Sequence, residues 1–259
     1  MEISIQNNQT YYQLIGRRDL PVLVMLHGWG CDWQVWAPVI PALSEYWQLL
    51  IPDIPGLGLS IPPVDDWSSW EYADWLIELV EKIIPRSQRG TASIILMGHS
   101  FGGKIEALTA THHPSWLSKL VLVAPAGLPL PLTAKERITQ RLSQLLPKMI
   151  KQQLDSQLKS WVLKKLGVAV DYQQANPAQQ QILRRVVREN IADDLAQIRV
   201  PTLIAWGAQD QTIPPDVGQR WQQLIPAAEL EIFVHSGHYP FVDETSKFLE
   251  LLTSFGEAK

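Results

Sequence analysis

Three short runs constrain this chain more than anything else in it: Val22-Leu23-Val24-Met25-Leu26, Ile94-Ile95-Leu96-Met97 and Leu120-Val121-Leu122-Val123. None alternates apolar with polar residues. A strand with one wet face must alternate, because successive side chains point to opposite sides. A run without alternation belongs to a strand covered on both faces, as strands of parallel sheets are. The three runs fall in strands predicted at 21–26, 92–97 and 119–124. Others are predicted near 2–6, 10–15, 47–52, 201–206 and 228–234. Apolar spacing predicts helices near 33–44, 69–84, 101–112, 215–225 and 243–255, with Asp243 as N-cap of the last. This alternation predicts an α/β fold with helices on both faces of the sheet. The first two strands have no helix between them and are expected to pair antiparallel. A length of 259 residues suits one such unit.

Residues 125–200 break the pattern. Strand-like runs vanish, and Ile138, Leu142, Leu145 and Leu146 recur at helical spacing. Ile150, Leu154, Leu158 and Trp161 form a second stripe, separated from the first by Pro147. Asn176-Pro177 reads as an N-cap and first helical residue, opening a third helix through about Asn190. The chain therefore divides into a core, 1–124 with 201–259, and a helical lid at 125–200. Charge divides with it. Residues 131–200 carry 12 Lys and Arg against 6 Asp and Glu, in a chain of formal net charge −4. That excess reads either as the solvated faces of amphipathic helices or as a basic lid attracting an anionic substrate or an acidic carrier protein. The net acidic balance argues against a nucleic-acid binder. No apolar run approaches the ~18–20 residues of a membrane span, and no signal-peptide pattern opens the chain. A cytoplasmic location is the expectation. Cys31 is the only cysteine, so no internal disulfide or thiolate metal cluster is possible.

Chemistry is carried by Gly98-His99-Ser100-Phe101-Gly102, a G-x-S-x-G pattern between a strand and a helix. Gly98 and Gly102 allow a tight turn that lifts the Ser100 hydroxyl off the sheet, and the N–H of Phe101 is aimed where an oxyanion would form. His27-Gly28-Trp29-Gly30, after the strand at 21–26, is placed to give a second oxyanion donor, the N–H of Trp29. A serine hydroxyl needs a base, and the base needs a carboxylate to fix its tautomer. His238 lies on the loop after the last strand, with His235 as near competitor. Asp210 follows the strand at 201–206, with Asp216 as runner-up at a helix start. His99 reads as buried packing. Nothing in the histidine spacing implies a metal, and no nucleotide fingerprint implies an organic cofactor.

With HGWG at 27–30, DIPGLGLS at 53–60, GHSFGG at 98–103, PTLIAWGAQD at 201–210 and SGHYPFVDE at 236–244, the chain resembles the α/β-hydrolase superfamily along nearly its whole length. The resemblance implies an eight-stranded, mostly parallel sheet with a cap after the sixth strand. It implies Ser100 as nucleophile, His238 as base, Asp210 as acid, and Trp29 and Phe101 as oxyanion donors. His27, Gly28, Gly30, Gly98 and Gly102 support the loops, and the stretch from Asp53 is structural. The chain is similar to small carboxylesterases, among them those acting on pimeloyl-carrier-protein methyl ester. Those carry Trp before the serine, where this chain has His99. The activity so implied is hydrolysis of a small or medium carboxylic ester, without cofactor. The alternatives are a C–C bond hydrolase, with lid arginines such as Arg184 or Arg188 holding a carboxylate, and a ligand sensor retaining the triad.

Overall fold

The computed structural model describes residues 1–88, 94–130 and 177–257. Its sheet has eight strands: β1 (Glu2–Ile5), β2 (Asn8–Ile15), β3 (Val22–Leu26), β4 (Gln48–Pro52), β5 (Ile94–His99), β6 (Leu117–Val123), β7 (Thr202–Gly207) and β8 (Ala228–Phe233). Their order across the sheet is β1-β2-β4-β3-β5-β6-β7-β8. β1 pairs antiparallel with β2 and β2 with β4, and every other pair is parallel. All eight expected strands are present, including the antiparallel start.

The unalternating runs have a direct structural reading. Val22, Val24 and Leu26 point into one core, with Ile94, Leu96, Leu120 and Leu122. Leu23 and Met25 point into the other, with Ile95, Met97, Val121 and Val123. Each strand therefore feeds two apolar layers, and each fully buried side chain of this kind stabilises the fold by about 1.5–3 kcal/mol. The first layer is closed by α2 (Ser69–Ile83), α3 (Phe101–Thr111), α4 (Pro177–Val186), α5 (Ala192–Leu195) and α6 (Pro215–Leu224). Tyr72, Trp75, Leu76 and Leu79 of α2 are its buried stripe, and Ser68 with Glu71 forms the capping box that opens the helix. The second layer is closed by a 3-10 turn (Trp33–Trp36), α1 (Ile40–Leu43), α7 (Pro240–Asp243) and α8 (Thr245–Glu257).

Three helix expectations need correction. The helix expected at 33–44 is instead the 3-10 turn and α1, because Pro38 and Pro41 lack the N–H groups that a continuous helix needs. The last helix is split into α7 and α8. Asp243 does not cap it, since its carboxylate accepts the N–H of Gly237 at 2.8 Å and is spent on the loop before. The helix opening at Pro177 stops at Val186, short of Asn190. The two lid stripes from Ile138 to Trp161 lie outside the described residues. Among the described residues no helix is long and apolar enough to cross a membrane.

The parallel register matters most for the site. Leu26 pairs with Gly98, His99 with Val123, and Gly207 with Phe233. The carboxyl ends of β3, β5, β7 and β8 thus share one edge. The order reverses between β3 and β5, and in open α/β sheets the ligand crevice opens outside the strand ends at such a reversal.

Candidate active site

Ser100 sits between β5 and α3 with φ +52° and ψ −111°, a conformation that L-residues rarely adopt. Such a backbone costs about 1–3 kcal/mol and persists only where its surroundings enforce it. Here the Ser100 N–H donates to the Val123 carbonyl at 2.9 Å. The Ser100 carbonyl accepts from Lys104 at 3.1 Å and Ala126 at 3.0 Å. The flanking glycines are steric requirements. A β-carbon on Gly102 would lie 2.4 Å from the Leu26 carbonyl oxygen, and one on Gly98 would lie 2.6 Å from the carbonyl of Gly102.

Phe101 is the first residue of α3, so its N–H has no intrahelical acceptor and forms part of the positive end of the helix. The Trp29 ring packs edge-on against the Phe101 ring, with centroids 5.5 Å apart. The two loops expected to hold an oxyanion are therefore neighbours. His27 anchors the first of them. Its Nε2 accepts the Ile54 N–H at 3.1 Å, which puts the ring proton on Nδ1, 2.8 Å from the Gly28 carbonyl. Burial holds His27 below its ordinary pKa, and the 3.7 Å approach of the Asp53 carboxylate therefore does not amount to an ion pair. Asp53 accepts the N–H groups of Trp33 at 2.7 Å and Leu59 at 2.9 Å, tying the stretch after β4 to the HGWG loop. That is a structural role. Gly30 closes the loop with φ +73°.

Asp210 and His238, 28 residues apart, meet with Nδ1 2.7 Å from Oδ2. The carboxylate is buried, and its Oδ1 accepts the N–H groups of Thr212 at 2.8 Å and Ile213 at 2.9 Å. Those two bonds offset the loss of water around the charge. Donation from Nδ1 leaves Nε2 as the lone-pair nitrogen, the tautomer a general base requires. The competitors lie elsewhere. His235 is exposed beyond β8, and Asp216 is exposed in the first turn of α6.

Several residues that fix this arrangement were not legible in the sequence. Glu244 accepts the Ser236 hydroxyl at 2.7 Å and the His235 N–H at 2.9 Å. With Asp243 on Gly237, it clamps the loop that leads to His238. The signal was an acidic pair five and six residues after the histidine, readable equally as helix-start chemistry. Lys104, one turn after Ser100, is buried and paired with Glu189 at 2.8 Å. Cys31 is half-buried with Sγ 3.9 Å from the Tyr239 hydroxyl. Arg184 and Arg188 line an open cleft of about 630 Å³ with Asp66, Ser68, Trp70 and Glu189, and neither Ser100 nor His238 lines it. Among the described residues no group of three or more His, Cys, Asp or Glu side chains is arranged to hold a metal ion.

The model of the alpha/beta hydrolase family matches residues 23–251. A pimeloyl-[acyl-carrier protein] methyl ester esterase of Vibrio vulnificus is 29% identical over 255 residues, covering 91% of this chain and 94% of its own. One from Legionella pneumophila is 26% identical over 245 residues, covering 90% and 94%. Among solved structures, an esterase from Exiguobacterium antarcticum superposes with a TM-score of 0.74 at 24% identity, over 100% of this chain and 99% of that one. A meta-cleavage product hydrolase from Pseudomonas fluorescens gives 0.69 at 20%, over 98% and 96%. These two likenesses speak to the fold alone.

Proposed function

We propose that this chain, which belongs to the alpha/beta hydrolase family, hydrolyses carboxylic esters with Ser100 as nucleophile, His238 as base and Asp210 as the acid that orients it. The observation that carries the reading is the 2.7 Å bond from His238 Nδ1 to a carboxylate already held by two backbone N–H groups, on loops that leave the same sheet edge as the strained turn of Ser100. In the reaction, Ser100 Oγ bonds to the ester carbonyl carbon as His238 Nε2 takes the hydroxyl proton. The carbonyl oxygen becomes an oxyanion facing the N–H groups of Trp29 and Phe101. On collapse, the carbon–oxygen bond to the alcohol breaks and the alcohol leaves with the proton from His238. Water then attacks the acyl-serine, giving its proton to Nε2, and the acid leaves as Ser100 recovers its hydroxyl proton.

Residues 125–200 act as the lid over this site, and the substrate is an acyl ester of small or medium length. The relatives' names and the positive excess of 131–200 support a carrier-protein-linked methyl ester as one such substrate. The cytoplasmic location belongs to this same reading. The cleft with Arg184 and Arg188 is lined by neither Ser100 nor His238, so it does not set those arginines against the proposed nucleophile and base.

The test is hydrolysis of p-nitrophenyl esters from acetate to octanoate by wild type, Ser100→Ala, Asp210→Asn and His235→Ala. The expected result is a maximum at one chain length. Ser100→Ala should remove turnover, Asp210→Asn should lower kcat by about 10³–10⁴-fold, and His235→Ala should leave it unchanged. Activity on a carrier-linked methyl ester should fall with added salt while activity on the neutral esters does not. His238→Ala, run in the same series, should lose turnover as Ser100→Ala does; full activity in Ser100→Ala, or equal loss in His235→Ala and His238→Ala, overturns the assignment.

A further inference from the structure

His99, adjacent in sequence to Ser100, is buried to 1% exposure. Its Nε2 lies 3.0 Å from the main-chain carbonyl oxygen of His238, across 139 residues of sequence. A carbonyl oxygen only accepts, so Nε2 carries the ring proton and donates it. Nδ1 is then a lone-pair acceptor, and it is buried without a hydrogen-bond partner among the described residues. It faces the oxyanion loop, where a β-carbon on Gly28 would come within 3.0 Å of Nδ1. The ring also packs edge-on against that of His238 and tilted against that of Tyr239, each at 4.7 Å between centroids. Burial and the nearby His238 hold His99 well below its usual pKa, so the ring is neutral.

An interior acceptor without a partner is a standing cost, and a phenylalanine in the same space would avoid it. What histidine offers in exchange is its single N–H, and that N–H is on the carbonyl of His238. Other restraints on this loop come from elsewhere. Asp210 holds the His238 ring at Nδ1, and Asp243 and Glu244 hold residues 235–237 from the α7 side. Among these restraints, the His99 bond is the one made to the backbone of His238 itself.

We propose that His99 is a positioning residue: its Nε2–H fixes the main chain of His238 and so sets the reach of the base toward Ser100, while its ring spaces the oxyanion loop at Gly28. This rests on the reading of Ser100 and His238 as nucleophile and base. The His99 hydrogen bond goes to the main chain of His238 and not to its ring nitrogens. Its effect is geometric, and a displacement of about 1 Å in a catalytic group costs up to roughly 10²-fold in rate.

Side-chain length supplies the test. Glutamine carries its amide nitrogen about where histidine carries Nε2, asparagine reaches only as far as Nδ1, and phenylalanine keeps a ring without a donor. His99→Gln, His99→Asn and His99→Phe are compared with wild type on a p-nitrophenyl ester, alongside Ser100→Ala, His238→Ala and melting curves. The expected result is a loss of about 10- to 100-fold in kcat at unchanged KM for the Asn and Phe variants, with His99→Gln restored to near the wild-type rate. Equal loss in the Gln and Phe variants, or wild-type kcat in His99→Phe, overturns the positioning role alone. Turnover surviving in Ser100→Ala or His238→Ala overturns the triad reading and the positioning role with it. Should the variants fail to fold, 15N-histidine NMR of the wild-type protein decides. A protected Nε2–H on His99 is expected, and an Nδ1–H tautomer overturns the proposal.

Discussion

Glu106 lies in the second turn of the helix that follows Ser100, fully buried, with both carboxyl oxygens lacking a hydrogen-bond partner among the described residues. Burial pushes its pKa well above the ordinary carboxylate value. The native chain therefore keeps a proton that the unfolded chain releases above about pH 4.5. Stability is then unaffected below the unfolded pKa and falls as pH rises toward the folded one, by up to about 1.4 kcal/mol per pH unit. Glu106→Gln removes this dependence. Its melting temperature should gain on wild type from pH 5 to pH 8, and a gap that is constant across that range would contradict the buried neutral acid. At this same scale, Ser100, Asp210 and His238 stand out in the sequence because each follows a strand within a recognisable local pattern, and the structure joins the last two at 2.7 Å. His99 and Lys104 do not. Their partners lie 139 and 85 residues away, and only the tertiary fold says that a buried histidine donates to a carbonyl or that a lysine beside an elbow meets a glutamate.

Lys104 and Glu189 also work between elements. The Lys104 ammonium donates to the Val186 carbonyl at 2.7 Å and to Glu189 at 2.8 Å. The same carboxylate accepts the Ser69 hydroxyl at 2.5 Å and its N–H at 3.2 Å. The start of α2, the elbow helix α3 and the segment after α4 are thus tied at one buried point. Removing one member of such a pair leaves a charge in the interior and costs about 3–5 kcal/mol, whereas removing both is often nearly neutral. Chemical denaturation of Lys104→Met should show that loss, and Lys104→Met with Glu189→Gln should recover most of it. Additive losses would mean that the two side chains are not coupled. Elsewhere the strands are legible in the sequence, most plainly β3, β5 and β6, where packing on both faces leaves unbroken apolar runs. Pattern and structure part where prolines at 38 and 41 break a helical pattern, and where Asp243 gives a cap-like carboxylate to a neighbouring loop.

On the scale of the molecule, the parallel register sets the functional geometry before any side chain is considered. It brings the ends of β3, β5, β7 and β8 to one edge, so the loops carrying Trp29, Ser100, Asp210 and His238 leave the sheet there. Two apolar layers hold the sheet rigid beneath them, and rigidity is what lets a strained serine and a held carboxylate keep their places. That Ser100 is the group acylated at this edge is tested most directly by treating the folded protein with a fluorophosphonate and mapping the adduct by peptide mass spectrometry. One adduct is expected, on the peptide carrying Ser100, absent from Ser100→Ala and formed more slowly in His238→Ala. An adduct on another residue, or labelling of Ser100→Ala as fast as wild type, would contradict it.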